Sequence, residues 1–164
     1  MRPQKLFTLI FVKKNKEILL GHKTRGLGKG LWNGFGGKVE NETLLNCAKR
    51  ELYEECSLLA ENLNHLGVVK YEVVDEDVDH IVHVFTCTKY TGTEQRSEEM
   101  DPIRWFNFKD VPYEKMWPCA KKWWPYMLSD KYFSVHCIYN DGNIISNNVL
   151  GHGSINHVFS ELSL

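Results

Sequence analysis

The stretch that most limits this 164-residue chain is Gly34 to Leu58, GFGGKVENETLLNCAKRELYEECSL. Six glycines between Gly26 and Gly37 rule out a helix over the first part. Glycine loses too much chain freedom there for a helix to offset. From Thr43 the period changes. Leu44, Leu45, Ala48, Leu52 and Cys56 recur at helical spacing, and Thr43 is a suitable N-cap. The helix is expected to end near Cys56 or Ser57. A glycine-rich loop must therefore feed the chain directly into one amphipathic helix.

That helix carries an electrostatic conflict. Glu51, Glu54 and Glu55 lie three and four apart, so all three side chains reach one side. Like charges at such spacings destabilise a helix by about 0.2–0.5 kcal/mol per pair. They also crowd the C-terminal half, where the helix dipole disfavours anions. Two readings remain open at this point. One is a solvated face balanced by Lys49 and Arg50, with the apolar stripe elsewhere and the acids unburied. The other is a hard divalent cation, which prefers carboxylate oxygen and cancels the repulsion. Such an ion, Mg²⁺ above all, completes its shell with substrate phosphates, and so implies a phosphate ester or anhydride.

The rest of the chain supplies the frame. KLFTLIFVKK and EILLGHK read as a hairpin or neighbouring strands. HLGVVKYEVV and DHIVHVFTCTKY are strand-like, separated by an acidic turn, and IRWFNF is a further strand. The segment VPYEKMWPCAKKWWPYMLSDK is expected to be helical in pieces, interrupted by Pro118 and Pro125. Asp141-Gly142 between apolar runs predicts a hairpin. Alternating strands and helices without a repeat predict a single α/β domain with a mixed sheet, over residues 3–150. Residues 151–164 are left as a tail of open structure.

Composition narrows the partners. A net charge of −1 offers no broad basic field for nucleic acid or anionic membrane. No apolar run approaches the ~20 residues that span a bilayer. The five cysteines are odd in number and irregular in spacing, which argues against a disulfide framework or a zinc site. These features predict an intracellular, cytoplasmic protein, with nuclear or mitochondrial sites left open. A monomer acting on a small ligand is expected.

Gly36, then Glu42, then Arg50-Glu51-Leu52-Tyr53-Glu54-Glu55-Cys56-Ser57-Leu58 resembles the Nudix box, Gly-x5-Glu-x7-Arg-Glu-U-x-Glu-Glu-x-Gly-U, where U is bulky and apolar. Only Ser57 departs, standing in place of glycine. TLIFV, LLGHKTRGLGKGLWNGFGGKV, SEEM, WF and MWP are further similar to the animal MutT-like branch, the oxidised-purine nucleoside triphosphatases. The resemblance implies an α/β/α sandwich with a loop–helix–loop motif. It implies Mg²⁺-dependent cleavage of purine nucleoside triphosphates to monophosphate and pyrophosphate, with Mn²⁺ as a possible substitute. Substrates such as 8-oxo-dGTP and 2-hydroxy-dATP would make the role sanitation of the nucleotide pool. Glu51, Glu54, Glu55, Glu99 and the Gly36 carbonyl match metal ligands, with Glu98 a rival for Glu99. Catalytic work falls to Glu51, Glu54 and Glu55, with Arg50 orienting a glutamate. The general base stays open among Glu54, Glu55 and Glu99. Thr8, Lys23, Asn33, Phe35, Gly36, Gly37, Lys38 and Trp117 match substrate-binding positions. Trp117 would stack on the base and Lys23 would lie near the phosphates.

The departures concern the base. Where those relatives carry two aspartates after Trp-Pro, this chain has Cys119 and Ala120, and Leu27 stands in place of an aromatic residue. Thiol and methyl groups cannot replace carboxylates as hydrogen-bond partners. Base preference is therefore expected to be weaker or differently built. Two other readings are kept: a Nudix hydrolase of another nucleoside diphosphate derivative, and a catalytically silent nucleotide-binding module.

Overall fold

The computed structural model describes residues 2–152 apart from Gly142. In chain order the elements are β1 (Gln4–Lys14), β2 (Glu17–Lys23), β3 (Trp32–Asn33), α1 (Leu44–Cys56), β4 (Leu59–Ala60), β5 (Asn64–Val73), β6 (Asp79–Cys87), β7 (Tyr90–Thr91), β8 (Met100–Asn107), α2 (Ala120–Leu128), β9 (Tyr132–Asn140) and β10 (Asn143–His152). The main sheet runs β10-β9-β5-β6-β1-β2-β3, with β8 also paired to β2. It is mixed: β1 lies parallel to β6 and β5 parallel to β9, while the other pairs are antiparallel. The short strands β4 and β7 form a separate two-stranded ladder.

One irregularity creates the site. β1 and β2 pair only at their hairpin end, Val12–Lys14 against Glu17–Leu19. Beyond that β2 pairs with β3 at Gly21 and His22, while β8 follows it from Glu17 to Lys23, and the glycine-rich segment takes the place of β2 beside β1. Ile10 and Phe35 exchange both backbone hydrogen bonds, at 2.6 and 3.0 Å, and the Thr8 N–H donates to the Gly37 carbonyl at 2.9 Å. A segment can lie this close only without side chains. A Cβ on Gly36 would sit 1.9 Å from the Thr8 carbonyl oxygen.

Period-2 alternation along β1 divides the interior in two. Ile10 and Val12 pack with Phe35, Leu52 and Phe85 in a core beneath α1. Phe11 packs with Trp123, Trp124 and Phe133 in a core beneath α2. The helices thus cover opposite faces of the sheet, giving the α/β/α sandwich. Each large apolar side chain fully buried in these cores contributes about 1.5–3 kcal/mol. All five cysteines are buried and free.

Several details correct the sequence reading. The buried face of α1 is Cys47, Ala48, Leu52, Glu55 and Cys56, whereas Leu45 is exposed. The acids are therefore not all off the buried face. Proline does not interrupt α2, which runs through Pro125. Its missing N–H removes one intrahelical bond, and burial of Trp123, Trp124 and Met127 holds the turn together. β3 forms inside the stretch read as loop. The expected hairpin is present as β9 and β10, and β10 takes in the first two residues of the presumed tail. Residues 153–164 lie outside the described residues.

Candidate active site

Helix α1 begins as expected: the Thr43 hydroxyl accepts from the Asn46 N–H at 3.1 Å. It ends at Ser57, which takes the left-handed conformation (φ 65°) and donates its N–H to the Tyr53 carbonyl at 2.9 Å. Between these ends the helix presents its acids to the glycine-rich segment.

Glu55 is the deepest of them, 3% exposed. Its Oε1 accepts from the Gly36 N–H at 2.8 Å, while Oε2 has no hydrogen-bond partner. Lys23 Nζ stands 3.9 Å from that oxygen. Burial pushes the Glu55 carboxyl up to about 8, against the Gly36 N–H and the Lys23 charge, which favour ionisation. Burial also raises Glu51, against the attraction of Arg50. Gly37 lies directly against the Glu51 carboxylate, 2.4 Å from where its own Cβ would be.

Arg50 organises the helix side of the site. It donates to Glu42 at 2.6 and 3.1 Å, to Glu51 at 2.9 Å and to Glu54 at 3.2 Å. The hydrogen bond from Arg50 holds Glu42 down at about 2. This fork fixes three carboxylates, Glu42, Glu51 and Glu54, before any ligand arrives. Lys49, expected to share the balancing, is exposed, and Arg50 carries the helix-side pairing.

The opposite wall comes from the segment before β8. Lys23 reaches Glu99 at 3.2 Å, and Arg25 reaches Glu99 at 3.3 Å and Glu98 at 3.5 Å. Backbone pairing reinforces this, with the Thr24 N–H donating to the Glu99 carbonyl at 2.9 Å. Burial raises the Glu99 carboxyl, but Lys23 and Arg25 outweigh it and the net shift is downward. Glu98 is 89% exposed in its side chain and Glu99 41%, so Glu99 is the acid turned toward Lys23 and Glu55. Together Arg25, Glu51, Glu54, Glu55, Ser97, Glu98 and Glu99 line a cleft of about 350 Å³.

These acids fit a divalent ion in chemistry rather than in a finished cage. Among the described residues no three side chains converge closely enough to hold a metal as they stand. Lys23, Arg25 and Arg50 engage them in ion pairs. The fit rests on Glu51, Glu54 and Glu99 sharing that cleft and on the Gly36 carbonyl, with the bare, buried Glu55 Oε2 beside them. Phe35 and Gly37 point their carbonyls at β1. The alternation of an antiparallel ladder therefore turns the Gly36 N–H and carbonyl the other way, and that N–H meets Glu55.

The expected substrate residues divide. Lys23 stands beside the cleft, against Glu55 and Glu99. Trp117 lies at the other end of the same loop: a Cβ on Gly28 would be 3.2 Å from its indole nitrogen. Its half-exposed ring packs against Tyr71 and Tyr139. Asn33 is half-buried on β3, and its carboxamide oxygen accepts from the Gly34 N–H at 2.8 Å. The Thr8 side chain is 2% exposed and is engaged by Cys47 Sγ at 3.3 Å under α1. Phe35 is wholly buried in the core beneath α1, so its ring cannot reach a ligand. Lys38 is exposed, and its carbonyl braces Arg50 at 3.4 Å. Cys119 and Ala120 are buried where α2 begins. Arg25, Tyr71 and Tyr139 escaped the sequence reading. The Arg25–Glu99 pair joins residues 74 apart, and only matching charge signs hint at it.

A loop–helix–loop that sets an arginine-braced row of glutamates against a glycine segment is the Nudix arrangement. The family described as NUDIX domain matches residues 2–127, and this chain belongs to it. Members of that family use a divalent metal and act on nucleotides. Over 146 residues the chain is 40% identical to the mouse (Mus musculus) oxidized purine nucleoside triphosphate hydrolase, covering 88% of this chain and 93% of that one. It is 42% identical to the zebrafish (Danio rerio) protein of the same name over 134 residues, 81% and 85% of the two chains. Among solved structures, the MutT protein of Bacillus halodurans superposes with a TM-score of 0.77 at 25% identity, over 88% of this chain and 97% of that one.

Proposed function

We propose that this protein hydrolyses oxidised or modified purine nucleoside triphosphates to monophosphate and pyrophosphate, with Mg²⁺ as cofactor. The observation that carries the reading is Glu55, a buried carboxylate with one oxygen anchored by Gly36 and the other bare, beside Lys23. Burying a carboxylate without a partner is unfavourable, and a site that retains one has a use for it. The mouse and zebrafish relatives supply the substrate class.

The Gly36 carbonyl, Glu51, Glu54 and Glu99 would hold the ion. When bound, Mg²⁺ stabilises negative charge building on the phosphate oxygens. Arg50 keeps Glu51 and Glu54 in place. Lys23 and Arg25 are released from Glu99 to pair with the phosphate chain, which orients the scissile anhydride. Glu55 Oε2 is the oxygen placed to take the proton leaving the attacking water. Trp117 offers a stacking face to the base at the far end of loop 24–31.

The test is pyrophosphate release from dGTP, 8-oxo-dGTP, dATP, 2-hydroxy-dATP and N6-methyl-dATP with Mg²⁺ or Mn²⁺. Release of pyrophosphate and monophosphate in equal amounts from the oxidised purines is expected. No pyrophosphate or phosphate from any of them would overturn the reading.

A further inference from the structure

A second cavity opens where β8 runs along β2, and it is larger than the catalytic cleft, about 480 Å³ against about 350 Å³. Among the described residues, neither the acids of the catalytic cleft nor Trp117 line it. Strand register sets its floor. Arg104 and Phe106 on β8 pair directly with Leu20 and Ile18 on β2, so all four lie on one face of the sheet. Leu20 and Ile18 are wholly buried there, in the core beneath α2. Arg104 is exposed and lines the cavity.

Arg104 differs from the other arginines in its partners. Arg2, Arg25, Arg50 and Arg96 each reach a carboxylate. Among the described residues Arg104 reaches none, and no other side chain or carbonyl accepts from its guanidinium. Its guanidinium carbon sits over the Trp32 ring at 5.5 Å and the Phe106 ring at 6.0 Å. Those two rings meet edge to face at 5.0 Å. Ring faces attract the cation and hold it in place. They leave its N–H donors unused, a fork that matches carboxylate or phosphate oxygens. Lys115 lines the same cavity, exposed and without an acid among the described residues. The one carboxylate in the lining, Glu114, pairs with neither cation.

Tyr113 adds a third aromatic wall, packed edge-on against Trp124 of α2 with ring centroids 5.7 Å apart. A held but unpaired guanidinium, a second free cation and three aromatic side chains thus share one cavity of the size that small ligands occupy. The excess of positive charge selects an anion, and the aromatic walls select a flat, apolar body. We propose that this cavity is a second ligand site, separate from the catalytic cleft, for a planar aromatic anion. Arg104 and Lys115 hold its carboxylate or phosphate, and its ring lies among Trp32, Phe106 and Tyr113.

The experiment needs no turnover. 1-Naphthoate and 1-naphthyl phosphate are titrated into the full chain without divalent metal, with 1-naphthol and inorganic phosphate as controls. Affinity is read by calorimetry and position by ¹H–¹⁵N spectra. At least one of the two aromatic anions should bind about tenfold or more tightly than either control, the size of one hydrogen bond to a charged group. The tighter of the two identifies the anion that the site takes. The largest shifts should fall on the Trp32 indole, Arg104 and Tyr113. Arg104→Gln should weaken binding by about tenfold or more. Lys115→Gln, a change on an exposed side chain, should weaken it by about threefold. Thermal melting of both variants shows that the fold is kept. Affinity for 1-naphthol equal to that for both anions, shifts confined to Gly36 and Gly37 in the catalytic site, or unchanged binding in both variants would overturn this inference. A lower melting temperature of Arg104→Gln with unchanged binding would assign Arg104 to shielding the rings, and would overturn it too.

Discussion

Gly37→Ala separates the geometry of the site from the stability of the fold. The Gly37 backbone is not in the left-handed region, so alanine fits there without backbone strain. Its methyl group would meet the Glu51 carboxylate at 2.4 Å (Oε1), 2.5 Å (Cδ) and 2.8 Å (Oε2). Reaching an ordinary contact of roughly 3.4 Å requires the carboxylate to move by about 1 Å. The carboxylate is the free end of a long side chain, so it yields before the backbone does. In moving, it leaves its 2.9 Å contact with Arg50. A 1 Å misplacement of a reacting group lowers a rate by about 10²-fold, or about 2.7 kcal/mol in the barrier. Stability should change by less than about 1 kcal/mol, because that ion pair is partly exposed and screened. Pyrophosphate release at saturating substrate gives kcat, and thermal melting in the same buffer gives stability. A kcat within threefold of wild type would refute the placement of Glu51 in the reaction. A fall in Tm of more than about 10 °C would show that the backbone, rather than the carboxylate, gave way.

Three further outcomes are expected. Glu55→Gln keeps the oxygen that accepts from Gly36 but loses the proton acceptor. Turnover should vanish while nucleotide affinity, measured by calorimetry, stays near wild type; residual turnover above a few per cent would remove Glu55 from the chemistry. Ser57→Gly relieves a left-handed residue and should stabilise the protein by about 1 kcal/mol with kcat unchanged, and an unaltered urea midpoint would contradict the strain. His65 and His83 meet at 3.1 Å, and burial lowers both to about 4. Neutral rings are thus favoured in the fold, so their contribution is complete above about pH 6.5 and is lost as pH falls from there toward 4, by about 3 kcal/mol per ring. His83→Gln should flatten the fall in urea-unfolding stability over that interval, and a profile parallel to wild type would count against the burial argument.

Helix α1 and its row of acids were legible because both follow from local spacing. Thr43, the change of period and the left-handed demand on Ser57 all lie within one segment. The strands β1, β2, β5, β6, β9 and β10 were legible for the same reason. Which acid is buried was not. Glu55 and Leu45 exchanged their expected environments because the inward face of α1 runs through Cys47, Ala48, Leu52 and Cys56, which puts Glu55 inside and Leu45 outside. Phe35 and Thr8 were read as pocket residues because they sit among pocket positions in sequence. Thr8 lies on β1 in phase with Ile10, and Phe35 pairs with Ile10, so both side chains fall beneath α1.

The amino-acid sequence by itself determined that three glutamates share a helical turn and that a glycine segment precedes them. Periodicity and steric freedom are properties of consecutive residues. The tertiary structure alone decided that β1 and β2 part to admit Phe35–Lys38, that Lys23 and Arg25 confront Glu99, and that Tyr71, Cys119 and Tyr139 gather behind Trp117. Those contacts join residues 20 to 76 positions apart. They depend on strand order, parallel pairing and helix placement, which only the packing of two cores against one sheet can select.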